Sequence, residues 1–273
     1  MDQDPTTWFD GARRVLFVHA HPDDETIATG GTLAALAEAG AEPGLVTLTR
    51  GERGEVTSGP FAALAGTARL AAHRETELAA ALFMLGVDRH AFLGTPPARA
   101  AELEPRMYAD SGMVWGTDGL AAASPDATAD ALTRASVIEP LNDLLAVAAN
   151  WEAEAIVSYD AIGGYGHPDH VFAHRLARAV AHGLDLPYWE IVTDRSNAGA
   201  GGADPQVSEA GEGLESGEDT VAYDVSPWSE RKIPALRSHA TQLTVDGDAI
   251  VHVGGQRQPI DVIERFRRLP RLG

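Results

Sequence analysis

The chain has no cysteine among its 273 residues. Disulfides, thiolate nucleophiles and thiolate metal sites are therefore excluded, and any metal must be held by imidazole and carboxylate. No run approaches the roughly 20 apolar residues that a membrane helix requires. The start Met1-Asp2-Gln3-Asp4-Pro5 lacks the basic segment of a secretory signal, so a cytoplasmic protein is expected. Basic residues are scarce as well: 21 against 40 acidic ones leave a formal charge of −19. Such a balance repels phosphate backbones and anionic lipid, which argues against nucleic acid and membranes as partners. It reads as a well-solvated, salt-tolerant surface.

What is present is apolar content, 44% of the chain, enough for a substantial core. Through the first two-thirds, strand-like and helix-like segments alternate, the pattern of a parallel sheet covered on both faces. Strands are expected at 14–18, 45–49, 91–93, 155–159 and 188–193. Helices are expected at 25–39, 69–85, 129–151 and 170–183, with Gly40 and Gly86 closing the first two. Residues 94–128 read as a long excursion over a site, and 197–219, poor in large apolar residues, as a mobile stretch. Ser226-Pro227 opens a further helix, and Asp246-Gly247 between two apolar runs signals a hairpin. The tail Arg265-Phe266-Arg267-Arg268 reads as a final amphipathic turn with solvated charges. The expected fold class is α/β, a Rossmann-like, mostly parallel sheet with helices on both faces and a smaller C-terminal α+β part. A single domain is expected, with 1–193 as its core and 194–273 completing or capping the site.

Two clusters carry chemistry. His19-Ala20-His21-Pro22-Asp23-Asp24-Glu25 directly follows the apolar run Val15-Leu16-Phe17-Val18, at the C-terminal end of a buried parallel strand, where open α/β sheets place their sites. Tyr165-Gly166-His167-Pro168-Asp169-His170 follows a second such run, Ala155-Ile156-Val157-Ser158-Tyr159. Catalytic zinc takes three protein ligands, and two imidazoles with one carboxylate are a standard set. His21, Asp24 and His170 can fill it, leaving Asp23 as a base. Alone, His-Pro-Asp-Asp is more often a capped helix start with exposed carboxylates, but the second His-Pro-Asp-His removes most of the weight from that reading.

These two motifs resemble the PIG-L-type (LmbE-like) N-acetylglucosamine deacetylases. Gly51-Glu52-Arg53-Gly54-Glu55-Val56, Asp110-Ser111-Gly112-Met113 and His239-Ala240-Thr241-Gln242 extend the resemblance from about Val15 to Gln242, in particular to the branch that deacetylates N-acetylglucosaminyl-inositol in mycothiol biosynthesis. The resemblance implies one zinc ion per chain held by His21, Asp24 and His170, although the same donor set also suits ferrous iron. It implies Asp23 as general base, and His167 and Tyr165 as stabilisers of the oxyanion. His167, if protonated, or Asp23 would return a proton to the departing amine, and Asp169 would orient His167. It also implies Glu55, Arg74, Asp110 and Met113 as contacts to the sugar and inositol, in keeping with the carboxylates and Arg that polyols call for. The implied partner is therefore a small-molecule glycoside, and the sequence leaves oligomeric state open. Arg74 has an alternative as a surface charge pairing with Glu75 or Glu77, and Met113 as a packing residue. His73, His90, His174, His182 and His252 have no partner pattern.

Two other readings compete with deacetylation. Mycothiol-conjugate amidases cut a larger amide with related motifs, and the spelling of the second and fourth segments leans away from them. A Rossmann-like nucleotide-binding module would want a Gly-rich phosphate turn after the first strand. This chain has His-Pro-Asp-Asp there, and Gly30-Gly31 lies too deep in the helix. A metal-bound but silent scaffold leaves the base and oxyanion candidates without a role.

Overall fold

The computed structural model describes residues 4–117, 120–193 and 220–271. A seven-stranded sheet runs in the order β3-β2-β1-β6-β7-β12-β8. Its strands are β1 (Val15–His19), β2 (Gly44–Thr47), β3 (Arg89–Phe92), β6 (Ala155–Ser158), β7 (Tyr188–Ile191), β8 (Thr220–Asp224) and β12 (Ile263–Leu269). The first five pair in parallel, while β12 runs antiparallel between β7 and β8. A short turn α1 (Trp8–Gly11) precedes β1, and the longer helices are α2 (Asp24–Glu38), α3 (Arg69–Leu85), α4 (Ile138–Asn150), α5 (Pro168–Gly183) and α6 (Ser229–Ser238).

Strand β1 is buried along its whole length, and its side chains alternate between two cores. Val15 and Phe17 pack with Leu33, Leu36, Leu78 and Ala235 from α2, α3 and α6. Leu16 and Val18 pack with Leu144, Val147, Leu176 and Val180 from α4 and α5. This two-faced burial is why the strand reads as a continuous apolar run.

The chain leaves β1 toward β2 on one side and returns as β6 on the other, which makes the β1/β6 boundary the switch point of the sheet. Val15 pairs with Ala155 and Phe17 with Val157, so the two motif-bearing loops emerge side by side. Strand order alone thus brings together clusters far apart in sequence.

Gly30-Gly31 has a packing role. A Cβ on Gly31 would lie 2.4 Å from Val225, and the Gly31 and Thr32 amides donate to the Glu264 carboxylate at 2.9 and 2.8 Å. Glu264 is also paired with Lys232 at 2.7 Å, so β12, α6 and α2 meet in one buried polar contact.

Several elements differ from expectation. The Arg-rich tail is strand β12, because Glu264 and Phe266 point inward while Arg265 and Arg267 face out. The long helix starts at Ile138, since residues before it form a 3-10 turn, Leu132–Arg134, and bridge to Ala109. Within the excursion lies a hairpin, β4 (Met113–Trp115) and β5 (Ala121–Ala123). Ser226-Pro227 begins a 3-10 turn, and α6 proper starts at Ser229. The Asp246-Gly247 hairpin joins β9 (Leu243–Asp246) to β10 (Ala249–His252), with β11 (Arg257–Pro259) alongside. The stretch 197–219 lies outside the described residues.

Candidate metal and catalytic site

Beyond β1 the chain turns sharply. Asp23 sits at φ 103°, a left-handed value rare for a residue with a side chain, and heads α2. Its carbonyl accepts the Thr26 and Ile27 amides, and its own N–H donates to Glu25 Oε2 at 3.0 Å. Local strain of this kind persists where surrounding contacts hold it in place, often at functional sites. Here Glu25 supplies the hold, and is itself fully buried against His239 at 3.0 Å.

Beyond β6, Asp160 Oδ1 accepts the Ile162 and Gly164 amides, closing a turn that carries Gly163 at φ 71°. A Cβ on Gly163 would lie 2.8 Å from His170 Cβ. Pro168 opens α5, and His167 caps it: His167 Nδ1 accepts the Asp169 amide at 3.2 Å.

The loops converge on Asp24. Its Oδ2 lies 3.3 Å from both His21 Nδ1 and His170 Nε2. It also accepts the His21 amide at 3.0 Å and the Tyr159 hydroxyl at 2.7 Å. Burial alone would raise the Asp24 pKa, but His170 and His21 hold it well below the usual carboxylate range. His170 Nδ1 faces the Gly163 carbonyl at 3.3 Å, and a carbonyl only accepts, so Nδ1 carries the proton. Nε2 is buried, 3.3 Å from Asp24 Oδ2, and has no hydrogen-bond partner. A buried ring nitrogen left without a partner beside a carboxylate is costly unless a cation is shared between them.

His21, Asp24 and His170 are thus brought together, and His21, His167 and His170 form a compact donor group as well. One expectation needs correction. The Asp169 carboxylate does not orient His167; its Oδ2 lies 3.3 Å from His21 Nε2 and accepts the Ser111 amide at 2.9 Å. The reason is helical geometry, because the capping bond occupies His167 Nδ1 with the Asp169 backbone and turns the carboxylate toward His21.

The electrostatics separate the remaining groups. Burial, with repulsion from Asp24, pushes the Asp23 carboxyl up to about 8. Burial, reinforced by His21 and His170, brings His167 down to about 2. His167 is therefore a neutral imidazole with its remaining proton on Nε2. Burial and the charges of Asp24 and Asp23 raise the Tyr165 phenol well above 10, leaving it a protonated donor.

Of the expected substrate contacts, Asp110 is buried beside His21, its Oδ1 3.8 Å from Nε2 while accepting the Gly112 amide at 2.7 Å. Met113 starts β4 and is partly buried, and the Glu55 side chain is exposed. Arg74 is only 3% exposed. Its guanidinium donates to the Gly51 carbonyl, to the Glu55 carbonyl at 2.8 Å and to Thr241 Oγ1 at 3.4 Å. It is neither a surface charge nor, in this arrangement, a free hand for substrate. Thr241 in turn gives its amide and hydroxyl to Glu77, so His239–Gln242 locks the 51–57 loop onto α3. Sequence reasoning gave no role to Glu25 and Tyr159; Glu25 closes the first quoted motif and Tyr159 ends a strand run, but neither has a ligand-like spacing.

The family model described as GlcNAc-PI de-N-acetylase (PIG-L) matches residues 16–181. A 1D-myo-inositol 2-acetamido-2-deoxy-alpha-D-glucopyranoside deacetylase of Kineococcus radiotolerans is 39% identical, with 94% of this chain and 78% of the relative covered. A relative of the same name in Kribbella flavida is also 39% identical, over 86% of this chain and 84% of the relative. Among solved structures, a deacetylase of teicoplanin biosynthesis shares the fold at TM-score 0.60 and 20% identity, covering 94% of this chain and 98% of its own. The N,N'-diacetylchitobiose deacetylase of Pyrococcus horikoshii does so at TM-score 0.58 and 20% identity, over 98% and 86%. With its two motifs meeting at the switch point and relatives of this similarity along most of its length, the chain belongs to the PIG-L family.

Proposed function

We propose that this chain is a divalent-metal-dependent N-deacetylase acting on 1D-myo-inositol 2-acetamido-2-deoxy-α-D-glucopyranoside, the N-acetylglucosaminyl-inositol of mycothiol biosynthesis. The observation that carries the reading is the orphan His170 Nε2 beside Asp24 Oδ2, with Asp23 next in the chain. Relatives at 39% identity bear the name of this activity.

His21, Asp24 and His170 would hold one metal ion, with zinc as the expected ion and ferrous iron as the alternative. When bound, such an ion polarises a carbonyl oxygen and lowers the pKa of water toward 7. Asp23, in its ionised form, takes the proton of the attacking water. Its carboxyl, raised toward neutrality, then returns that proton to the amine as the C–N bond breaks and acetate departs. His167 donates from Nε2 to the developing oxyanion, and the Tyr165 phenol is a second donor. The neutral state of His167 makes it a hydrogen-bond donor and leaves Asp23 as the proton donor. Asp169 holds His21 by its far nitrogen, which fixes the ring so that Nδ1 faces Asp24. Asp110 and Met113 are the side chains this reading assigns to sugar or inositol hydroxyls.

The test is amine release from N-acetylglucosaminyl-inositol, free N-acetylglucosamine and a mycothiol S-conjugate, assayed side by side. The reading requires the inositol glycoside to have the highest kcat/KM. Faster cleavage of the S-conjugate would replace deacetylation by the amidase activity.

A further inference from the structure

We infer that Tyr159 is a positioning residue for the metal, joining the two ligand-bearing loops through one side chain. This rests on the assignment of His21, Asp24 and His170 as ligands. Tyr159 follows β6 directly and is 6% exposed. Its hydroxyl accepts the Ala20 amide at 2.8 Å and donates to Asp24 Oδ2 at 2.7 Å. Its ring stacks on His170, with centroids 4.1 Å apart and planes 12° from parallel. One phenol therefore fixes the backbone before His21, the Asp24 carboxylate and the His170 ring.

The residue is anchored from behind as well. The Tyr159 carbonyl accepts from His174 Nδ1 at 2.9 Å and from the Tyr188 hydroxyl at 3.0 Å. A hydroxyl with both of its roles committed has one orientation, and so does the carboxylate it serves. Outer partners that orient metal ligands typically change affinity about 10–100-fold when removed.

The test is zinc affinity of the metal-stripped full chain, measured by competition with a chromophoric chelator, together with the melting temperature of the stripped protein. Tyr159→Phe keeps the ring on His170 and removes only the hydroxyl. Its zinc Kd should rise by about 10–100-fold. Tyr108→Phe is the control: it deletes a buried phenol bonded to Asp143 at 2.7 Å, outside the ligand set. It should lower the melting temperature and leave zinc Kd within about threefold of wild type. Should Tyr159→Phe fail to fold, Tyr159→His keeps an aromatic ring, falls short of both Asp24 and the Ala20 amide and leaves room for water at that amide; the same loss is expected. A Kd within about threefold of wild type in a folded Tyr159 variant overturns the inference. If instead His170→Ala binds zinc as wild type does, the ligand assignment itself has failed.

Discussion

Asp169 Oδ2 lies 3.3 Å from His21 Nε2, across 148 positions of sequence. The other nitrogen of the same ring faces Asp24 at 3.3 Å. A carboxylate on one side of an imidazole and a ligand set on the other is how proteins fix a tautomer and strengthen a metal-binding nitrogen. Asp169→Asn keeps an acceptor for the Ser111 amide and removes the charge behind His21. It should weaken metal binding about 10-fold or more, read by chelator competition, with little change in melting temperature. Undiminished affinity would mean that His21 needs no such support.

Asp23→Asn preserves shape and cannot accept the proton of water. The variant should retain its metal by elemental analysis and lose about 10²-fold or more in kcat. Turnover within a few-fold of wild type would place the base elsewhere and dissolve the division of labour between Asp23 and Asp24.

Arg74→Ala removes three donors from the 51–55 loop and Thr241 and leaves buried carbonyls unpaired. Stability should fall by about 2–4 kcal/mol, the scale of breaking buried charge-assisted hydrogen bonds. Because the same loop holds Asp110 beside His21 through Glu52 and the Arg53 amide, kcat/KM should drop for N-acetylglucosaminyl-inositol and free N-acetylglucosamine alike. A loss confined to the inositol-bearing substrate would restore Arg74 as a direct inositol contact.

His90, on β3, is half-buried with Nε2 3.1 Å from Thr47 Oγ1, and desolvation brings its pKa from 6.5 down to about 4. Between those values the unfolded chain takes up a proton that the folded one refuses. The contribution of neutral His90 is therefore complete above pH 6.5 and lost as pH falls through about 4. Urea unfolding at pH 7.5 and 5 should show a smaller loss of stability for His90→Gln than for wild type. Equal losses would remove His90 from the acid sensitivity of the fold.

The meeting of the two motifs was legible because both follow apolar strand runs, and sheet order then makes their loops neighbours. Helix α3 was legible end to end, since Arg69 to Leu85 keeps an apolar face and Gly86 supplies the left-handed cap. Strand β12 was not, because an inward glutamate breaks the apolar alternation. Glu264 is tolerated inside only through Lys232 and two amides of α2, partners no local pattern reveals. Asp169 was misdirected for a related reason: the resemblance implied His167 as its partner, while the helix cap sent the carboxylate to His21. Tyr159 looked like the last core residue of a strand, and its hydroxyl contacts depend on Ala20 and Asp24, more than a hundred residues away.

Zinc titration into chelator-stripped enzyme, with amine release from N-acetylglucosaminyl-inositol as the readout, tests the account most directly. Activity should be absent before zinc is added, rise linearly and break at one equivalent per chain, and a folded His170→Ala protein should show no such break. Full activity in the stripped enzyme, or the same break in His170→Ala, would contradict a metal-dependent deacetylase built on His21, Asp24 and His170.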